Sequence, residues 1–305
     1  MSDCLQPNSL FRSPLVAVYD VDCHAPRGSS SPEEEMMNHT LVFPRSGVFI
    51  KKVSEKDQLV ADSTRVLFFN RHETCRFSHP ADGGDKCTSI RFQAEPLVDF
   101  LQRVHPPVAD SPERPFRSSA AVSTSSLVLK LHRLRRLILF AESDNVLAIE
   151  ETCASLLTEA LANADEEQNM GPGKSRESTR KAHRDLVEAT RVVLARRFRE
   201  KLSLAEVARA VFSSPFHLAR IFRRETGLSL HRQLTRLRLR HALGHLTGGK
   251  PDLTMLALDL GFSSHAHFSH VFLREFGSAP SQFLSSPKKL RRFISTARFE
   301  ICQLS

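Results

Sequence analysis

The sequence predicts an α+β multidomain chain: an N-terminal antiparallel β domain, helices appended to it, then a C-terminal all-α domain with two helix-turn-helix units. Three observations predict it. Short β-branched and aromatic runs alternate with polar breaks from residue 40 to 93, apolar residues recur every three or four positions from 127 to 164, and a helical segment beyond 183 occurs twice.

The net charge of +9 is segregated: residues 181–305 hold 22 Lys and Arg against 9 Asp and Glu, a net +13 that leaves −4 for residues 1–180. A basic block of this kind points to a polyanion, with nucleic acid ahead of a membrane surface. No apolar run nears the roughly 18 residues a membrane span needs, and MSDCLQPNSLFRSP lacks the layout of a signal peptide. A cytoplasmic location is expected. Cys4, Cys23, Cys75, Cys87, Cys153 and Cys302 form no CxxC, so they read as reduced, mostly buried thiols.

Residues 1–38 carry Pro and Ser clusters, with LVAVYD (15–20) as a candidate strand. From Thr40, the runs TLVFP, GVFIKKV, QLVA, RVLFFN, TCRFSH and CTSIRF predict a sandwich or small barrel over 40–93. GGD at 83–85 reads as a hairpin turn, since it lacks the further glycines and helix start of a phosphate loop. Two amphipathic helices follow, at 127–140 and 145–164. The stripe Leu127, Leu131, Leu134, Ile138 reads equally as intradomain core or as a dimer seam. A polar stretch centred on Gly-Pro-Gly predicts a linker over 164–182. The domains are thus 1–163, the linker, and 183–290.

In the basic half, SSPFHLARIFRRETG (213–227) and SSHAHFSHVFLREFG (263–277) align without a gap at an offset of fifty. Each follows a short apolar helix, SLAEVARAV (203–211) or DLTMLALDL (252–260), and a turn. Helix, turn and Ser-capped helix are the layout of a helix-turn-helix. At 100° per residue, Leu218, Ile221 and Phe222 in one copy and Phe268, Phe272 and Phe276 in the other face inward. Ser214, Phe216, Ala219, Arg220 and Arg223, with His265, Ala266, His267, His270 and Arg274, are the candidate DNA-binding residues. Arg can fork onto guanine and an apolar side chain can meet the thymine methyl. The histidines are poor metal ligands: His265 and His267 diverge on a helix, and neither His267–His270 nor His241–His245 has a third ligand beside it. No metal or other cofactor is expected.

VARAVFSSPFHLARIFRRETG, the helix LHRQLTRLRLRHALGHL and LALDLGFSSHAHFSHVFLREFGSAPSQF together resemble the DNA-binding domain of AraC/XylS-type transcription regulators over about 185–284. The signal is chiefly the run from Ala257 to Pro280. The resemblance implies two helix-turn-helix units joined by one long helix, here about Leu230–Leu246, reaching successive major grooves of double-stranded DNA. Arg232, Arg236, Arg238 and Arg240 of that helix would touch phosphates or only solvate it. Two departures stand out: Phe212 occupies a turn position often Gly in the family, and His270 one often Arg. FPRSGVFIKKV and RVLFFNRHE resemble the cupin-like sensing domain of such regulators. That implies a small-molecule effector in a pocket lined by Phe43, Phe49, Phe68 and Phe77, with RNA polymerase and a second copy of the chain as further partners. The competing class is a metal-dependent cupin-type enzyme with incidental nucleic-acid binding, but His72, Glu73 and His79 do not follow the HxH, Glu, His order that its metal needs. We therefore expect a regulator and not an enzyme.

Overall fold

Strand pairing in the computed structural model, which describes residues 5–54, 58–104, 111–140, 145–169, 177–248 and 251–284, builds two antiparallel sheets from the first 122 residues. In chain order the strands are β1 (Leu5–Arg12), β2 (Val16–Cys23), β3 (Glu34–Glu35), β4 (His39–Gly47), β5 (Phe49–Lys52), β6 (Gln58–Ala61), β7 (Arg65–Phe69), β8 (Thr74–Ser78), β9 (Asp85–Phe92) and β10 (Ala120–Val122). The larger sheet runs β1-β2-β9-β4-β7-β10 and the smaller β3-β8-β5-β6.

The larger sheet is covered on both faces. On β7, Leu67 and Phe69 join Phe49, Ala61 and Cys75 of the smaller sheet, while Val66 and Phe68 join the helices. Burial on both sides is why RVLFF is a continuous apolar run with no polar alternation. It also corrects the expected effector pocket. Phe43 and Phe68 lie on the helix side and Phe49 and Phe77 between the sheets, so the four line no common cavity.

Two further expectations for this half change. The β region extends to residues 5–122, because β1 and β10 pair at opposite edges of the larger sheet. β1 holds Pro7 and a register shift between Ser9 and Phe11, both of which an edge strand tolerates. Residues 83–85 do not close a hairpin: β8 and β9 belong to different sheets, and the segment with Gly83 (φ 89°) and Gly84 (φ 65°) crosses between them.

Helices α1 (Ala94–Val104), α2 (Ser125–Phe140) and α3 (Val146–Asn169) cover the outer face. Leu127, Leu131 and Leu134 are buried there with Cys153, Leu156 and Ala160, and Ile138 packs against them. The stripe is intradomain core and not a dimer seam. Of the expected linker, 164–169 complete α3 and 177–182 open α4 (Glu177–Arg197), while its Gly-Pro-Gly centre at 171–173 lies outside the described residues.

Beyond α4 come α5 (Leu204–Ala210), α6 (Pro215–Thr226), α7 (Leu230–Gly248), α8 (Leu253–Asp259), α9 (His265–Phe276) and a 3-10 turn, Pro280–Phe283. They share one apolar core built around Phe222, Leu239, Phe268 and Phe272. Residues 285–290 of the expected domain lie outside the described residues. Among the described residues no helix is long and apolar enough to cross a membrane.

The two halves meet over an interface with an apolar part and an ionic part. Val192 and Ala195 of α4 pack on Val48, Ile50 and Val60. Beside them the β6–β7 turn, Asp62-Ser63-Thr64, enters between α4 and α7. Arg191 reaches Asp62 Oδ2 at 3.7 Å and donates to Thr64 Oγ1 (3.1 Å), which also accepts from Gln233 (2.8 Å). Arg240 donates to the carbonyls of Ser63 (2.9 Å) and Ser123.

Candidate nucleic-acid interface

Local sequence sets the start of every short helix in this region. Ser203 and Glu206 form a reciprocal capping box at α5, Ser214 accepts from His217 N at α6, Asp252 accepts from Thr254 N and Met255 N at α8, and Ser264 accepts from His267 N at α9. The helices α6 and α9 end alike, on Gly227 (φ 69°) and Gly277 (φ 72°) in the left-handed region.

The two units differ in their turns. Ser213 N donates to Ala208 O in the first, and Phe262 N to Ala257 O in the second, so the leading helices correspond at an offset of 49 while α6 and α9 correspond at fifty. The first turn is one residue shorter. In it Phe212 takes the left-handed place of Gly261, with φ 53° against 79°, and its ring is fully exposed. At Gly261 no side chain fits: a Cβ would stand 2.5 Å from Arg199 O and 2.8 Å from an Arg238 guanidinium nitrogen.

Of the sequence-predicted DNA-binding residues, all but Ala219 are exposed. Ser214, Phe216, Arg220 and Arg223 are exposed on α6, with Ala219 half-buried. His265, Ala266, His267, His270 and Arg274 are exposed on α9. His265 Nε2 lies 3.2 Å from Ser269 Oγ and His267 Nδ1 3.0 Å from Ser263 Oγ, while the His267 ring meets Phe262 edge-on. These two histidines therefore hold the start of α9 as well as facing outward.

Of the four arginines of α7, Arg232 is exposed, while the other three are held by the protein itself. Arg236 pairs with Glu275 at 3.2 Å, and Arg238 donates to the carbonyls of Phe198, Glu200 and Gly261. Arg240 is buried, and desolvation lowers its pKa to about 10. Burial likewise pushes His241, whose ring stacks on Phe198 at 4.1 Å, down to about 4. Sequence reasoning missed Arg191, Gln233 and Arg240 as a connected set. The available signal was their position: Gln233 and Arg240 fall on the same helical stripe as Leu237, which should bury apolar groups.

A cavity of about 230 Å³ opens where β4, α2 and α7 meet, lined among others by Phe43, Arg45, Leu131, Arg135, Arg240 and Leu243. Arg45 and Arg135 share one carboxylate, Asp20, and Arg45 Nε has no hydrogen-bond partner.

Comparison with known proteins agrees with this geometry in the C-terminal region. The helix-turn-helix domain family matches residues 207–286. The urease operon transcriptional activator of Escherichia coli is 37% identical over 84 residues, 28% of this chain and 28% of its own length. The regulator GlxA of Rhizobium meliloti is 38% identical over 79 residues, 26% of this chain and 24% of its length. The activator RhaR of Yersinia pseudotuberculosis is 36% identical over 74 residues, 23% of this chain and 26% of its length. The aligned stretch thus spans less than a third of these relatives. Among solved structures, ToxT from Vibrio cholerae aligns over 93% of this chain and 100% of its own, with 12% identity and a TM-score of 0.34. Residues 207–286 match the helix-turn-helix domain family, and this is where the chain's resemblance to named transcriptional regulators lies.

Proposed function

We propose that the chain is a sequence-specific, DNA-binding transcription regulator governed by a small molecule held between its halves. The observation that carries the reading is that one helix, α7, joins the two exposed recognition faces and is also anchored by Gln233 and Arg240 in the N-terminal domain. A ligand altering that anchorage acts on both DNA-facing units together. The cavity between β4, α2 and α7 is the natural site, and of the four phenylalanines Phe43 alone lines it. Its cations and its apolar wall of Phe43, Leu131 and Leu243 favour a small anion with an apolar body. RNA polymerase and a second copy of the chain are further partners of this reading, the latter through a surface other than the buried Leu127 stripe. Against the enzyme reading, His72 is exposed and paired with Glu35 at 2.6 Å, while His79 is buried and bonded to Asp85, so the two do not converge on one ion.

The test is selection of duplexes from a random pool by the full-length protein. The expected product is two half-sites spaced about one helical turn, roughly 10.5 base pairs. Small carboxylic acids should then raise the melting temperature of the wild type and change its affinity for the selected site, and Arg45→Gln should blunt both effects. Absence of enrichment by folded protein would refute the DNA reading. Ligand shifts of the same size in Arg45→Gln would refute the cavity.

A further inference from the structure

We propose that Cys23, His79 and Asp85 form a binding site for a borderline-soft divalent cation, with zinc the best match to the donors. The three are far apart in the chain and show no spacing motif, yet the sandwich closes them into one buried group with 5%, 7% and 6% of their surfaces exposed. Cys23 ends β2 and is the register partner of Asp85, which opens β9. His79 follows β8 on the other sheet, its backbone exchanging hydrogen bonds with Gly28 N (2.8 Å) and Ser29 O (3.0 Å).

Donor geometry fits the ion. Cys23 Sγ lies 3.4 Å from His79 Nε2, which lies 3.0 Å from Asp85 Oδ1, and all three donor atoms fall within 4.8 Å of one another. Tetrahedral bonds of about 2.0–2.3 Å separate donor atoms by roughly 3.3–3.8 Å, so the Cys23–His79 and His79–Asp85 separations each lie within a few tenths of an ångström of what zinc needs. As a hydrogen-bonded set alone, the trio asks one ring nitrogen to serve a thiol and a carboxylate at once; a cation satisfies both. Cys87 Sγ lies outside this group of donor atoms and donates to Asp85 Oδ2 (3.1 Å), which orients the carboxylate. The other imidazole nitrogen, Nδ1, faces Ser29 Oγ at 3.5 Å, the outer hydroxyl contact that orients a ligating ring.

The backbone holds this geometry in place. A Cβ on Gly84 would stand 1.7 Å from Cys23 O, and one on Gly47 would stand 2.2 Å from Gly84 O. Glycine at both positions lets the segment before Asp85 press against the end of β2. The ion would then clip β2, β9 and the end of β8 together, joining the two sheets at a point where no backbone ladder does.

Untagged full-length protein, stripped of metal and titrated with zinc or cobalt alone, gives the test. The expected result is one ion per chain after gel filtration, a thiolate-to-cobalt charge-transfer band, and a melting temperature that rises with added zinc. Cys23→Ser and Asp85→Asn, each checked for native circular dichroism, should lose the band. Cys153→Ser, in a separate helical core, and the surface variant His267→Gln/His270→Gln should keep it. A wild type that binds no ion overturns the proposal whether or not the variants fold, and so does a band that survives Cys23→Ser or disappears in the surface variant.

Discussion

Phe212 and Gly261 occupy the same turn position for opposite reasons. Gly261 is required by contact as well as by its backbone angle, so Gly261→Ala is expected to cost about 2 kcal/mol or more, from strain and the clash with Arg199 O. Phe212 meets no such wall. In Phe212→Gly the relief of left-handed strain offsets the greater freedom of the unfolded chain, and stability should change by less than about 1 kcal/mol in denaturant melts. A ring kept fully in solvent at a strained position suits contact with a partner. If Phe212→Gly also leaves DNA affinity untouched, that role is excluded. Arg220 gives the complementary case. Arg220→Ala should weaken binding to the selected site by about 1–3 kcal/mol and scarcely alter binding to random duplex, because a base contact is lost while phosphate contacts persist. Equal losses on both DNAs would show that Arg220 contacts only backbone.

At the scale of elements, α2 and α7 each bury a histidine against neighbouring arginines. His132 and His241 are both lowered to about 4, by desolvation first, with Arg136 and Arg135 adding for His132 and Arg199 and His245 for His241. The folded chain therefore favours the neutral imidazoles. As pH falls from about 6.5 toward 4, protons bind preferentially to the unfolded chain, and stability declines across that window by at most about 3 kcal/mol per histidine. His241→Phe, which keeps the stacking on Phe198, should flatten part of that decline in melts recorded from pH 7.5 to 4.5. An unchanged slope would show that His241 titrates normally. The serine caps of α6 and α9 were legible in the sequence because each needs only a residue three positions away. The ends of α3 and α4 were not legible, since they run into a polar stretch whose composition suits a loop equally well.

For the whole molecule, the β6–β7 turn is one of the points where the two halves meet. Asp62 is fully buried and faces Arg191, itself 4% exposed, so Asp62→Asn removes the carboxylate and leaves a buried guanidinium short of a counter-charge. A loss of about 3 kcal/mol in global stability is expected. If instead the melting temperature holds and only the ligand response of DNA binding disappears, the turn is a coupling element without being a stability element. The basic excess of the C-terminal half divides accordingly. Arg191, Arg238 and Arg240 satisfy carbonyls, hydroxyls and Asp62 inside the protein, while Arg220, Arg223 and Arg274 stay exposed.

What the sequence determined by itself was local or repeated: the strand runs from Thr40 onward, the amphipathic faces of α2, α6 and α9, the doubled helix-turn-helix and its outward residues. These follow from side-chain period and nearest-neighbour chemistry, which a chain carries wherever it folds. Tertiary structure decided the rest. Whether LQPNSLFR becomes a strand depends on β2 lying beside it, whether Arg240 is solvated or buried depends on Ser63 and Ser123 lying more than a hundred residues away, and whether Cys23 meets His79 and Asp85 depends on how two sheets close. Each of those outcomes is a pairing between distant segments, and its energy is absent from either segment alone.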